Sequence, residues 1–230
     1  MKYACVIPFA YRPYFDEFKA TLKIPTENCL FVDDTENPGS IGIMKAHNMG
    51  IDFAREKGAD WLIVMSAGIR FGERGGLDFI EALESANDLL VVNGAGKWYD
   101  EGSKEYKVQA LGWHLTAFKM DVFSAIGRWD QNFSPYGFDD VDLTLRMKKY
   151  FGNQYKVGVV PVDMSHASTS HSIQIAKVEA PSAPRIAYFV EKWGRHPGAW
   201  QWDGWAYPFN NPDHNLSYWP QSADGGRCDE

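Results

Sequence analysis

Apolar positions in the first hundred residues alternate between short continuous runs and longer amphipathic stretches. The short runs are rich in β-branched and aromatic residues, which predicts strands. Four such runs occur, at Tyr3–Ile7, Cys29–Val32, Trp61–Met65 and Leu89–Val92. The run at 61–65 is apolar at every position, which is typical of a strand buried on both faces of a parallel sheet.

The stretches between these runs carry apolar residues at helical spacing. The strongest stripe predicts a helix with Ser40 as its N-cap, and this helix ends near Lys57 because Gly58 follows. Shorter helices are predicted at Phe15–Leu22 and at residues 76–85. Alternating strands and helices predict an α/β fold with a Rossmann-like, mostly parallel sheet flanked by helices.

Ligands of such sheets bind at the carboxyl ends of the strands. In this chain the ends of the first three strands carry residues that suit a binding site. They are Pro8, Phe9 and Ala10; Asp33 and Asp34; and Ser66, Ala67 and Gly68. Acids at strand ends are also common turn residues, so this signal alone is weak.

The second half of the chain has a different pattern. Residues 96–110 are polar and contain glycine, which predicts a loop or hairpin over the site. A helix beginning near Asp139 is followed by a predicted strand pair near Tyr155–Met164. We expect the main domain to span residues 1–175, with residues 176–230 forming a helix and an irregular extension packed on it.

This C-terminal extension is rich in aromatic residues and proline. Five tryptophans, Trp193, Trp200, Trp202, Trp205 and Trp219, alternate with prolines. We interpret most of them as anchors onto the core or onto a second subunit. The alternative is an acceptor platform, since indole rings stack well on the apolar faces of sugars.

Composition narrows the class of protein. A chain of 230 residues with 45% hydrophobic residues can bury a substantial core. Its three cysteines lack metal-ligand spacing, its longest apolar run is too short for a membrane span, and no signal peptide begins the sequence. These features predict a cytoplasmic protein without a membrane span. The net charge of −7 disfavours a nucleic-acid acceptor without excluding it.

The densest chemical signal is an acidic cluster after an aromatic-glycine turn. Asp139, Asp140 and Asp142 fall within four residues at a predicted helix start. Aspartates there can simply cap the helix, and Asp142 with Arg146 has the spacing of an ordinary surface ion pair. A carboxylate fixed at a helix start is also well suited to act as a general base.

Two motifs in this region resemble those of the family 2 glycosyltransferases. Residues 126–133 match Ile-Gly-x-x-Asp-x-x-Phe, and residues 136–146 match aromatic-Gly-x-Glu/Asp-Asp-x-Asp-Leu-x-x-Arg. The resemblance extends over roughly residues 1–170. It implies a GT-A fold and inverting transfer of a sugar from a nucleotide donor to a hydroxyl acceptor.

The same resemblance implies roles for individual residues. Asp140 corresponds to the general base, and Asp139 stands where Glu is commoner and would position the acceptor. The acceptor site would comprise Trp113, Tyr136, Gly137 and Phe138. The donor, with a UDP-sugar as the first expectation, would contact the first strand end and Asp33 and Asp34. Asn48 matches the family's Asn-x-Gly, although a buried structural Asn fits equally well.

The resemblance fails where the family binds its metal. The Asp-x-Asp expected after the third strand is replaced by Ser66, Ala67 and Gly68. His166 matches a terminal histidine that ligates the metal in metal-using members, so Mn²⁺ or Mg²⁺ has only weak support. Arg70 or Lys97 could instead share the leaving-group charge.

Two alternatives keep the same fold, and the missing acids favour the first and disfavour the second. One is a nucleotide-sugar or carbohydrate-binding protein of the same fold that has lost catalysis. The other is a nucleotidyltransferase, which usually needs the acidic ligands that this strand end lacks. The acceptor is left open among a glycan, a protein side chain, a modified nucleobase and a small molecule.

Overall fold

The computed structural model describes residues 1–100, 105–110, 114–166, 182–194 and 196–197. Six α-helices lie in this part of the chain: α1 (Arg12–Leu22), α2 (Ile43–Glu56), α3 (Leu77–Glu84), α4 (Met120–Ile126), α5 (Asp139–Phe151) and α6 (Ser182–Trp193). The strands are β1 (Tyr3–Phe9), β2 (Cys29–Asp33), β3 (Trp61–Met65), β4 (Ile69–Phe71), β5 (Val91–Asp100), β6 (Glu105–Ala110), β7 (Leu115–Lys119) and β8 (Val157–His166).

The strands form one sheet in the order β2-β1-β3-β7-β5-β8-β4, with β6 paired to β5. Its first half is parallel, since β1 pairs in parallel with both β2 and β3. Strand β7 then runs antiparallel between β3 and β5, and β5 and β8 are again parallel. The α/β architecture with a helix-flanked sheet is therefore confirmed, and the sheet is mixed.

Alternate side chains of the central strands supply two cores, one on each face of the sheet. In β3, Leu62 and Val64 join the core beneath α2, α4, α5 and α6. Trp61, Ile63 and Met65 join the core beneath α1 and α3. All five residues of β3 are buried, as its continuous apolar run predicts.

Several predicted boundaries shift in the structure. Helix α2 begins at Ile43 with Gly42 as its N-cap, so Ser40 is not the cap. Gly42 has φ 75°, a conformation that favours glycine, and the Ser40 hydroxyl instead donates to Asp34. The strand pair expected near 155–164 is the single strand β8, while the hairpin expected at 96–110 is confirmed as β5 and β6.

Helix α6 packs into the same core as α4 and α5. Phe189 and Trp193 are buried there, and the Trp193 indole donates to Asp142 Oδ1 at 2.9 Å. The other four tryptophans of the extension lie outside the described residues. Cys5 and Cys29 are buried free thiols.

Buried charges join α6 to the rest of the domain. Lys192 Nζ lies 2.7 Å from Asp142 Oδ1 and 2.6 Å from Asp130 Oδ2. Asp142 also accepts from Arg146 Nε at 2.9 Å, and neither residue of this pair is exposed. The reading of Asp142 and Arg146 as a surface pair is therefore wrong, because both point into the core. Within the described ranges, no helix is long and apolar enough to cross a membrane.

Candidate active site

A cavity of about 330 Å³ opens at the carboxyl ends of β1, β2 and β3. It is walled by the segment after β1, the loop after β2, the end of β3, the first turns of α2 and the turn before α5. Pro8, Phe9 and Ala10 line it from β1, and Ser66, Ala67 and Gly68 line it from β3. The strand-end segments predicted from the sequence therefore meet in one place.

The loop after β2 is organised by one carboxylate. Asp34 Oδ1 accepts from Ser40 Oγ at 2.8 Å and from Ile41 N at 3.2 Å, and Oδ2 accepts from Gly39 N at 2.8 Å. Asp34 lines the cavity, but its oxygens also hold the cavity wall together. Its contribution to a ligand is therefore inseparable from its contribution to the loop.

Asp33 does not line the cavity. Its carboxylate accepts from the Thr35 hydroxyl at 2.6 Å and pairs with Arg12 at 2.5 Å. The hydrogen bonds from Thr35 and the charge of Arg12 lower the pKa of Asp33. The structure therefore places Asp33 outside this cavity, with its carboxylate turned toward Arg12 of α1, and not in the predicted donor site.

Two further donor-site expectations are corrected. Asn48 is buried in α2, and its amide exchanges hydrogen bonds of 2.9 Å with the backbone N–H and carbonyl of Trp129. The structural reading of Asn48 is thus the one observed. Arg70 pairs with Glu17 at 2.5 Å and donates to the Ala67 carbonyl, so it supports the β3 end from behind. The side chain of Lys97 lies outside the described residues.

The turn before α5 carries three of the residues predicted to contact the acceptor. Tyr136 and Gly137 line the cavity, while Phe138 does not. Phe138 has φ 67°, and its ring packs on the core with Phe189 of α6 at 6.0 Å, so its assignment as an acceptor contact is corrected. Arg185 of α6 donates to the Tyr136 carbonyl and holds its guanidinium 5.0 Å from the Tyr136 ring. Trp113 lies outside the described residues.

Asp139 and Asp140 both line the cavity at the N-terminus of α5. Asp139 is half-buried, and Asp140 is exposed as a residue although its side chain lines the partly enclosed cavity. Asp139 Oδ1 accepts from Gly137 N at 3.2 Å, and Asp140 Oδ1 accepts from Val141 N at 2.8 Å. Desolvation and the neighbouring charge of Asp140 raise the pKa of Asp139 to about 7, and desolvation also raises the pKa of Asp140. A carboxyl group with a pKa near 7, as Asp139 has, can take up a proton near neutral pH.

Several cavity residues were missed by sequence reasoning. Tyr11 and Tyr14 follow β1 and flank the start of α1, where the β1 end could have indicated them. His47 is 5% exposed, and its Nδ1 has no hydrogen-bond partner among the described residues. Desolvation lowers the pKa of His47 to about 3, so it is neutral. In the sequence, His47 is marked only as a polar residue beside Asn48 on an otherwise apolar stripe of the predicted helix.

A hydroxyl and two imidazoles meet beside the end of β3, where Ser66 follows β3, His114 precedes β7 and His166 ends β8. Ser66 Oγ and His166 Nε2 are hydrogen-bonded at 2.9 Å, and the His114 and His166 rings have centroids 4.2 Å apart. Ser66 N donates to the His114 carbonyl at 2.8 Å. His114 lines the cavity, and desolvation lowers its pKa to about 4. No sequence motif includes His114, which is marked only by its place next to Trp113.

Comparisons with known proteins agree on the fold. No family model matches the chain, and no curated protein matches it. Among solved structures, the mannosyltransferase PcManGT from Pyrobaculum calidifontis, in complex with GDP-Man and Mn²⁺, has a TM-score of 0.50 at 14% identity. The match covers 76% of this chain and 60% of the mannosyltransferase.

A second enzyme aligns to a similar extent. Glucosyl-3-phosphoglycerate synthase from Mycobacterium tuberculosis, with Mn²⁺, UDP-glucose and phosphoglyceric acid, has a TM-score of 0.50 at 10% identity. The match covers 76% of each chain, and its UDP complex gives a TM-score of 0.51. The fold is that of the GT-A glycosyltransferases. At these identities the likeness establishes the fold and nothing finer.

The residues at the β3 end do not suit a divalent cation. Mg²⁺ and Mn²⁺ favour carboxylate and phosphate oxygens, whereas this end offers Ser66, His114 and His166. Within the part of the chain that the structure describes, no cluster of three or more His, Cys, Asp or Glu side chains could hold a metal ion. Among the described residues, His166 therefore lacks the carboxylate partners that a Mn²⁺ or Mg²⁺ site would need.

Proposed function

We propose that this protein is a glycosyltransferase that moves a sugar from a nucleotide donor to a hydroxyl acceptor with inversion. The observation that carries the proposal is the position of Asp139 and Asp140, two carboxyl groups with raised pKa values that face the cavity at the ligand-binding edge of a GT-A sheet. The two structural neighbours named above are complexes with GDP-mannose and UDP-glucose, which supports a nucleotide-sugar donor.

Asp140 is the proposed general base. In an inverting transfer the acceptor hydroxyl attacks the anomeric carbon on the face opposite the leaving diphosphate, and a base takes its proton as the new C–O bond forms. Asp140 is exposed on the cavity wall, so an acceptor can reach it. Asp139, held by the Gly137 amide, would position the acceptor hydroxyl. A base of this kind accounts for about 10²–10⁴-fold of the rate.

The donor would lie along the β1 and β2 side of the cavity. Phe9 and Tyr11 offer aromatic surface there, and the Asp34 loop closes the wall. A UDP-sugar remains the first expectation, with a GDP-sugar as the other candidate. The alternative of a binding protein that has lost catalysis rests on the missing carboxylates at positions 66 and 68.

The test combines a donor screen with one substitution. Thermal shift with UDP- and GDP-sugars identifies the donor, and hydrolysis or transfer from that donor distinguishes an enzyme from a binding protein. Asp140→Asn is expected to retain donor binding and to lower transfer by at least ~10²-fold.

Asp121→Asn is the matched control, because Asp121 is an exposed aspartate in the first turn of α4, away from the cavity. It should transfer at the wild-type rate. Near-normal turnover of Asp140→Asn on the true acceptor would remove Asp140 from the role of base.

A further inference from the structure

The end of β3 is packed in a way that excludes a carboxylate at position 68. A Cβ atom on Gly68 would lie 2.9 Å from both Cε1 and Nε2 of His166, closer than real Cβ contacts allow. The His166 ring cannot easily give way, since it is 1% exposed, hydrogen-bonded to Ser66 and packed against His114. The His166 imidazole therefore occupies the space that a side chain at position 68 would need.

The described lining of this cavity contains Asp34, Asp139 and Asp140 but no lysine or arginine. Arginines stand behind the lining, where Arg70 is paired with Glu17 and Arg12 with Asp33. Within the described lining, a diphosphate would therefore be met by uncharged hydrogen-bond donors.

Two donors are placed for this at the cavity wall. The Ser66 hydroxyl and the His114 imidazole both line it, and their segments are joined by the bond from Ser66 N to the His114 carbonyl. The His166 tautomer that donates from Nε2 to Ser66 Oγ, at 2.9 Å, orients this hydroxyl and leaves its proton for a ligand. Fixed donors in a partly enclosed site stabilise developing negative charge without reorganisation.

We infer that Ser66 and His114, with His166 as a positioning residue, bind the diphosphate of the donor in place of a resident divalent cation. The inference rests on the proposed function and specifies how its leaving group is held. When the anomeric C–O bond breaks, its electron pair stays on the diphosphate oxygen, and the acceptor proton passes to Asp140. The hydrogen bonds from Ser66 and His114 offset the charge that accumulates on the diphosphate.

Isothermal calorimetry on the full chain tests this inference with UDP and GDP, each in excess EDTA and in excess Mn²⁺. The expected result is that one of them binds with a similar Kd under both conditions. Binding seen only with Mn²⁺ overturns the inference and leaves the proposed function standing. Failure of both nucleotides and their sugars to bind under either condition removes the proposed function itself.

Substitutions then locate the diphosphate site. Ser66→Ala and His114→Phe each remove a hydrogen-bond donor while keeping much of the side-chain volume. Each should weaken binding of the nucleoside diphosphate by roughly three- to tenfold. The affinity for the matching nucleoside should be unchanged, a difference that a merely structural role would not produce. Equal weakening of nucleoside and diphosphate overturns the inference.

A third variant probes the positioning role of His166. Gly68→Ala forces the His166 ring to move and should lower diphosphate affinity without touching the nucleoside. If His114→Phe does not fold, Ser66→Ala and Gly68→Ala carry the test. Unchanged diphosphate affinity in both of these variants overturns the inference.

Discussion

Lys192 is predicted to be among the most important side chains for stability. Its ammonium group is 1% exposed and lies within 2.7 Å of carboxylate oxygens of both Asp130 and Asp142. Lys192→Met keeps the length of the side chain but removes the charge, which leaves two buried carboxylates short of a cation. Removing one partner of a buried ion pair costs about 3–5 kcal/mol.

Most of this cost is expected at Asp130 rather than at Asp142. Asp142 keeps its hydrogen bonds from Arg146 and Trp193, whereas Asp130 keeps only uncharged donors, the Tyr188 hydroxyl and Asn132. We take about 3–5 kcal/mol for the whole substitution, which corresponds to a fall in Tm of about 6–20 °C for a chain of this size.

Urea unfolding at neutral pH measures the effect. The matched control is Lys156→Met, which removes an exposed pair with Asp88 at 3.3 Å and should change stability by less than about 0.5 kcal/mol. In the double variant with Asp130→Asn, part of the loss should be recovered, with a coupling energy of about 0.5–3 kcal/mol.

The pH dependence gives an independent check. Burial alone would raise the pKa of Asp130. The charge and hydrogen bond of Lys192, together with the hydrogen bonds from Tyr188 and Asn132, lower it. The stability that Asp130 contributes is thus present above its unfolded pKa of about 4 and is lost as pH falls through the folded value. Without Lys192 burial dominates, so the destabilisation by Lys192→Met should shrink as Asp130 becomes protonated. A loss below about 1 kcal/mol at neutral pH, or one no larger than in Lys156→Met, would refute the reasoning.

Two other predictions concern the cavity acids. The pKa of Asp139 is raised to about 7, so the stability that its protonated form provides is lost as pH rises from about 4 to about 7. Asp139→Asn should therefore gain stability relative to the wild type as pH rises, and a difference in Tm that does not change between about pH 5 and pH 8 would contradict this. Asp34→Ala should weaken nucleotide binding by ~1–3 kcal/mol in calorimetry. Asp33→Ala is the control and should leave nucleotide affinity unchanged. Equal affinities of the two variants would mean that the nucleoside does not bind beside Asp34.

Local patterns predicted the elements that hold the site. The run at 61–65 is buried at every position, and the acids at 139 and 140 do begin a helix at the cavity wall. Both signals depend on residues adjacent in sequence, where periodicity and capping preferences act. The meeting of the β1 and β3 ends likewise follows from the general geometry of α/β sheets.

Contacts between residues far apart in the sequence could not be predicted from these local patterns. Asn48 is matched to the Trp129 backbone 81 residues away, and Lys192 serves two carboxylates more than 45 residues before it. The insertion of β7 antiparallel to β3 is another such contact, since it depends on a return of the chain that hydrophobic periodicity does not encode. The sequence also did not indicate which of Asp33 and Asp34 would line the cavity, because adjacent residues at a strand end point to opposite sides.

The contact between Gly68 and His166 has an evolutionary consequence. Any side chain at position 68 meets the His166 ring at 2.9 Å, so a change at 68 alone has to displace that buried ring. The cost of the displacement depends on the size of the residue at 166. Positions 68 and 166 are therefore expected to be epistatic, since a smaller residue at 166 would change the effect of a substitution at 68.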